Sequence, residues 1–289
     1  MESISIVQLI RLPRHAGAPF KSSPMAVQPP TLSSDGLIPR RYQEEIFERA
    51  VHGNVIAALD TGSGKTFIST LLIKWVSTKE NAREKLVVFL VPKVALAQQQ
   101  SAFIAKHSPL RVKQATGATA PDMSGRIGWQ ELLSDVDVIV LTGRLPFPLT
   151  VFSHRPISKS TVVSQCHYPF PLEHPQGSRF QPKINHRSEH WFQVSLLIFD
   201  ECHHTRKNHA YNGIMREYYQ CPDGQRPKIF GMTASPIWNA KDAATSLAVL
   251  EKNLNASVVA VRDHIKELSD HSPRPKEVAI SHLSINSSL

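Results

Sequence analysis

The chain has 289 residues, of which 41% are hydrophobic and 20% charged, enough to bury a core and ordinary for a globular protein. Its net charge of +9 favours a polyanionic partner, although basicity also fits proteins that bind no nucleic acid. No apolar run is long enough to cross a membrane, and Cys166, Cys202 and Cys221 lack the pairing or spacing of a disulfide framework or zinc site, so a reducing cytoplasmic or nuclear compartment is expected.

Residues 1–37 are rich in Pro and Ser, with Glu2 and Asp35 their only carboxylates, and read as a disordered leader. Arg11 and Arg14 among apolar neighbours give it a faint organelle-presequence character. The run from Arg40 to Val51 predicts a helix, and Val55 to Leu59 a buried parallel strand. Beyond them Ile68, Leu71, Leu72, Trp75 and Val76 recur at helical spacing.

Between this strand and helix lie Asp60, Thr61, Gly62, Ser63, Gly64, Lys65 and Thr66. In that setting the backbone N–H groups around the two glycines can curl round a triphosphate, helped by the positive end of the helix. Lys65 would reach the β- and γ-phosphates of ATP, and the Thr66 hydroxyl would ligate Mg²⁺. The general pattern starts on glycine, whereas this chain has Leu59 there.

The alternation then repeats. Leu86–Val91 predicts a strand, Pro92 and Lys93 a loop, Val94–Lys106 a helix, Leu110–Gln114 a short strand and Ile127–Leu133 a short helix. Val136–Leu141, Val194–Phe199 and Lys228–Met232 predict three further strands, and Lys241–Leu254 an amphipathic closing helix; beyond Pro273 no periodicity remains. Strand, loop and helix in turn imply an α/β fold with a mostly parallel sheet. Residues 143–193 break the pattern with seven prolines and five histidines, and loop-length priors favour a disordered excursion or a segment foreign to the fold, such as a retained intron. Their histidines and Cys166 match no tetrahedral zinc spacing.

Asp200 and Glu201 follow the fourth strong strand directly, where a carboxylate pair can complete a hydrolytic site. Asp200 would hold Mg²⁺ through its water shell, with Thr66, and Glu201 would orient and deprotonate the attacking water. An acidic strand end capping a helix is the plainer alternative, and the phosphate loop upstream argues against it.

The segments DTGSGKT, VPKVALAQQQ, DECHH and TASP, in this order, resemble motifs I, Ia, II and III of the superfamily 2 DExD/H-box helicases, and DECHH with its neighbours is similar to the helicase region of fungal Dicer-like endoribonucleases. The resemblance covers about Pro39 to Thr142 and Val194 to Glu277 and implies one RecA-like P-loop NTPase lobe over 38–142 and 194–272, interrupted by 143–193 and followed by a tail at 273–289. It further implies action on or near double-stranded RNA in RNA silencing, with Gln43 contacting adenine, Pro92 and Lys93 lying with the following helix against an RNA sugar-phosphate strand, and His203 linking hydrolysis to Thr233 and Ser235. A second helicase lobe, expected to supply arginines across the cleft, has no counterpart after Ser235, so weak or absent turnover by this chain alone is expected. A non-catalytic nucleotide- or RNA-binding fragment and a DNA-directed lobe of the same superfamily are the alternatives.

Overall fold

The computed structural model describes residues 38–79, 85–117, 119–120, 132–133, 135–142 and 194–272. The expectations for the leader, for 143–193, for 273–289 and for most of the Ile127–Leu133 helix lie outside the described residues.

Seven strands form one sheet: β1 (Val55–Ala58), β2 (Leu86–Val91), β3 (Val112–Ala115), β4 (Val138–Thr142), β5 (Val194–Phe199), β6 (Lys228–Thr233) and β7 (Ser257–Val259). Their order is β3-β4-β2-β5-β6-β1-β7, and every pairing is parallel. A parallel sheet covered on both faces needs strands without a polar side, and β1, β2 and β4 are buried at every position. The two faces feed separate cores, since side chains alternate along a strand. Along β1, Ile56 and Ala58 enter one cluster, while Val55 and Ala57 enter the other.

The helices divide accordingly. Helices α1 (Arg41–His52), α2 (Lys65–Ser77) and α3 (Val94–His107) contribute Ile46, Phe47, Leu71, Leu72 and Ile104 to the Val55 side. Helices α4 (Ala210–Gln220) and α5 (Ala243–Leu254) contribute Tyr211, Met215, Tyr218, Leu250 and Leu254 to the Ile56 side. The last described helix is α6 (Ile265–His271), whose Ile265 and Leu268 pack against the α1–α2 core.

Several elements differ from the expectation. The helix expected from Lys241 begins at Ala243, because the Asp242 carboxylate caps it by accepting the Thr245 N–H at 3.1 Å, and Ala240–Asp242 form a 3₁₀ turn. Helix α4 has a legible pattern at Tyr211, Ile214, Met215 and Tyr218, all buried, but its tyrosines and Gly213 obscure an apolar stripe. Strand β7 and helix α6, three and seven residues long, are too short to show a period and are held by tertiary contacts.

Candidate functional site

Because β5, β6 and β1 are neighbours and run parallel, their carboxyl ends open on one edge of the sheet, where crevices for ligands form in such folds. The end of β1 is tied to that of β6 by the Leu59 N–H, which donates to the Thr233 carbonyl at 3.1 Å. The chain then turns through Gly62 and Gly64, both at φ +82°, before entering α2. Gly64 is fixed as glycine twice over: that φ is left-handed, and an added Cβ would lie 2.4 Å from Nε2 of Gln43.

The loop is braced from below. The buried Ser63 offers its carbonyl to the Tyr42 hydroxyl at 2.7 Å and to the Gln43 amide at 3.3 Å, and its own hydroxyl donates to the Asp60 carbonyl at 2.7 Å. Lys65 Nζ donates to the carbonyls of Leu59 and Asp60, each at 3.0 Å. Burial depresses the Lys65 ammonium pKa, and the fields of Glu201, Asp200 and Asp60 oppose that depression. The loop lysine and the acid pair therefore lie within electrostatic reach of one another. Helix α2 has no acid in its own first turn and no side-chain cap at Gly64, so its first N–H groups fit an anionic ligand.

Opposite the loop, Asp200 is 6% exposed, and its carboxyl is pushed up to about 6, first by burial and then by repulsion from Glu201. Its backbone N–H donates to the Leu90 carbonyl at 2.8 Å, its carbonyl accepts the Tyr211 hydroxyl at 3.1 Å, and its side chain accepts the Glu201 N–H at 3.0 Å. A carboxylate this buried is costly to ionise without a cation, which suits a divalent metal. Glu201 stands in the left-handed region at φ 46°, an uncommon conformation for a residue other than glycine, asparagine or aspartate. Its Oε2 lies 3.3 Å from Nδ1 of His203, and that contact, followed by other nearby positive charge, holds the Glu201 carboxyl below its ordinary range against the effect of burial.

His203 Nδ1 is also 2.9 Å from the Thr233 hydroxyl oxygen, which accepts the Ser235 N–H at 3.1 Å. Lys65, Asp200, Glu201, His203, Thr233 and Ser235 thus meet on one sheet edge. Thr66 is the second residue of α2, and its carbonyl accepts the hydroxyls of Ser69 and Thr70. Thr61 and Gly62 are exposed. Pro92 and Lys93 follow β2, the neighbour of β5; Lys93 is exposed and is one of the positive charges that, after burial and His203, lower the His204 pKa.

Gln43 sits differently from a free base contact. It is 4% exposed, its amide nitrogen is on Ser63, and its Oε1 accepts the Arg40 N–H at 3.0 Å, so it caps α1 and props the loop. Sequence reasoning overlooked Tyr42, Tyr211 and Ser272, whose hydroxyls each donate to a backbone carbonyl of the loop or acid pair. Tyr42 adjoins Gln43 and could have been found from it; Tyr211 and Ser272 carry no local signal. Among the described residues no cluster of histidine, cysteine, aspartate and glutamate could hold a metal by itself, and no helix is long and apolar enough to cross a membrane.

A parallel sheet with a glycine-rich loop after β1 and an acid pair after β5 defines a RecA-like α/β lobe. The sequence model of the DEAD/DEAH box helicase family matches residues 40–158. The chain is 34% identical to endoribonuclease Dicer homolog 1 of Arabidopsis thaliana over 84% of its own length and 11% of that protein. It is 33% identical to Dicer-like protein 1 of Neurospora crassa over 78% of its length and 12% of that protein, and 36% identical to Dicer-like protein 1 of Aspergillus clavatus over 83% and 14%. Among solved structures, the helicase domain of Hef from Pyrococcus furiosus matches 77% of this chain and 38% of that one, at 24% identity and a TM-score of 0.50, a likeness of fold. The chain carries a DEAD/DEAH box helicase domain, and its curated relatives are Dicer and Dicer-like proteins, of whose length it spans a small fraction.

Proposed function

We propose that the chain is the ATP- and Mg²⁺-binding lobe of a Dicer-like helicase, coupling ATP hydrolysis to the binding of double-stranded RNA in RNA silencing. The observation that carries this reading is the mutual electrostatic reach of Lys65, Asp200 and Glu201 on one sheet edge. In this reading the N–H groups of residues 60–66 wrap the phosphates, Lys65 leaves its two carbonyl partners for the β- and γ-oxygens, and Gln43 orients the adenine. Thr66 and Asp200 would hold the metal, which would supply positive charge to the phosphates. Glu201, kept ionised by His203, accepts the proton of the attacking water.

His203 then carries the state of Glu201 to Thr233 and Ser235, and Pro92 and Lys93 face the RNA backbone. The one described sheet forms a single lobe. An arginine reaching across from a second lobe is worth about 10³ to 10⁵ in rate in related phosphoryl transfers, so a lobe of this kind assayed without such a partner turns over slowly. Purified protein titrated with ATP, and assayed for hydrolysis with duplex RNA, duplex DNA or neither, tests the reading. Lys65→Ala should abolish ATP binding, while Glu201→Gln should keep binding and stop turnover. Equal ATP affinity in wild type and Lys65→Ala refutes the site, and stimulation by DNA alone refutes the RNA assignment. Tight ATP binding with no turnover under any condition would instead make it a non-catalytic nucleotide-binding module.

A further inference from the structure

From Val261 onward the chain packs back against the helix that braces the phosphate loop. The N–H groups of Arg262 and Asp263 donate to the two carboxylate oxygens of Glu45, at 2.8 and 3.2 Å. Ile265 and Leu268 then pack on the core that contains Tyr42 and Ile46. One turn of α6 brings the Glu267 carboxylate to the Tyr42 N–H at 3.2 Å. Ser272, 7% exposed, donates its hydroxyl to the Thr61 carbonyl at 3.1 Å. A segment more than two hundred residues away in sequence thus touches the phosphate loop directly and also through α1.

The two contacts differ in kind. The first N–H groups of a helix have no partner inside it, and Arg40 at the N-cap of α1 has no side-chain acceptor to offer. Glu267 supplies a carboxylate there, which suits the positive end of the helix. The residue it caps, Tyr42, and its neighbour Gln43 are the two whose side chains grip the Ser63 carbonyl. Ser272 holds the other arm of the same turn at Thr61.

We propose that Glu267 and Ser272 are positioning residues for the nucleotide site, Glu267 by setting the first turn of α1 and hence Gln43, Ser272 by fixing the Thr61 carbonyl. This rests on the nucleotide reading given above. Packing of Ile265 and Leu268 alone would predict a different outcome: loss of the carboxylate would lower stability and leave nucleotide selectivity untouched.

The test uses the full chain as wild type, Glu267→Ala, Glu267→Gln and Ser272→Ala, titrated calorimetrically with ATP and with GTP, with a thermal melt of each. Glu267→Ala should weaken ATP binding about fivefold, in keeping with loss of a helix cap, and should narrow the ratio of ATP to GTP affinity. Glu267→Gln retains an acceptor oxygen and should restore both. Ser272→Ala should weaken the two nucleotides alike and leave their ratio unchanged, because it acts on the phosphate side. Wild-type affinities and ratio in Glu267→Ala, with only a lower melting temperature, overturn the proposal. Should Glu267→Ala fail to fold, unchanged affinity in Ser272→Ala overturns it. A wild-type chain that binds neither nucleotide overturns the nucleotide reading, and this proposal with it.

Discussion

Replacing Asp200 with asparagine should stabilise the ligand-free protein while destroying its capacity for a metal-bound nucleotide. The reason is the burial of that carboxylate, which raises its pKa from the ordinary 3.8 to about 6. Between those two values the folded chain holds a proton that the unfolded chain has lost, so stability from this group falls as pH rises. The full contribution is present below pH 3.8 and is gone above pH 6. Linkage with these two values puts the destabilisation from ionising Asp200 at about 1.5 kcal/mol at pH 5 and about 3 kcal/mol at pH 7.5. Asparagine removes this cost, keeps a side-chain oxygen for the Glu201 N–H, and leaves the backbone contacts to Leu90 and Tyr211 intact. Urea denaturation of wild type and Asp200→Asn across pH 5 to 7.5 reads the effect as a stability gap that widens with pH. Comparing the two proteins cancels the titrating groups that do not interact with Asp200, and the repulsion between Asp200 and Glu201, relieved in the variant, is part of the same gap. Saturating Mg²⁺ and ATP should reverse the gap, because only the wild type gains from binding. A variant less stable than wild type at pH 7.5, or a gap that does not change with pH, would refute the argument.

Gly64→Ala should lose nucleotide binding in the same titration and destabilise the fold by about 1–3 kcal/mol, since it combines a left-handed φ with a Cβ driven into Gln43. Tyr42→Phe leaves the buried Ser63 carbonyl without its shorter partner and should cost about 1–2 kcal/mol in urea denaturation, with weaker ATP binding because the loop is less well braced. Gly231→Val should cost about 1–3 kcal/mol or more, since even a Cβ at that position would sit 3.0 Å from the Cys202 sulfur and 3.1 Å from Ile56 Cγ1. Cys202 follows Glu201 directly, so any turnover should fall in the same variant; an unchanged melting temperature would contradict the packing argument.

The parts of the molecule that could be read from the sequence are those in which a local pattern and a tertiary demand coincide. Strands buried on both faces need nearly continuous apolar runs, so β2 and β5, the latter broken only by Ser195, are visible with their bounds. The glycine-rich loop needs left-handed backbone at Gly62 and Gly64, and Asp200 with Glu201 must follow a strand end directly, so these too leave marks on the chain. What was hidden depends on partners far away in sequence. Nothing near Glu267 announces that its carboxylate will cap a helix 225 residues upstream, and nothing near Ser272 points to Thr61. The same holds for Tyr211, whose hydroxyl fixes the carbonyl of Asp200 only because α4 folds back over β5.

This division also bears on Gln43, for which the sequence points to one role and the fold adds another. In the sequence it stands beside a tyrosine ahead of a phosphate loop, a place that points to ligand contact. In the fold both polar ends of its amide are occupied, by the Arg40 N–H and the Ser63 carbonyl. At 4% exposed, the amide has to move to meet a base, and of its two bonds the one to Ser63, at 3.3 Å, is the longer. Turning the amide nitrogen from Ser63 to a purine would leave Tyr42 as the sole side chain gripping that carbonyl. The occupancy of the base would then be felt in the phosphate loop through a single buried hydroxyl, which makes Tyr42 the residue on which coupling between the two ends of a bound nucleotide depends.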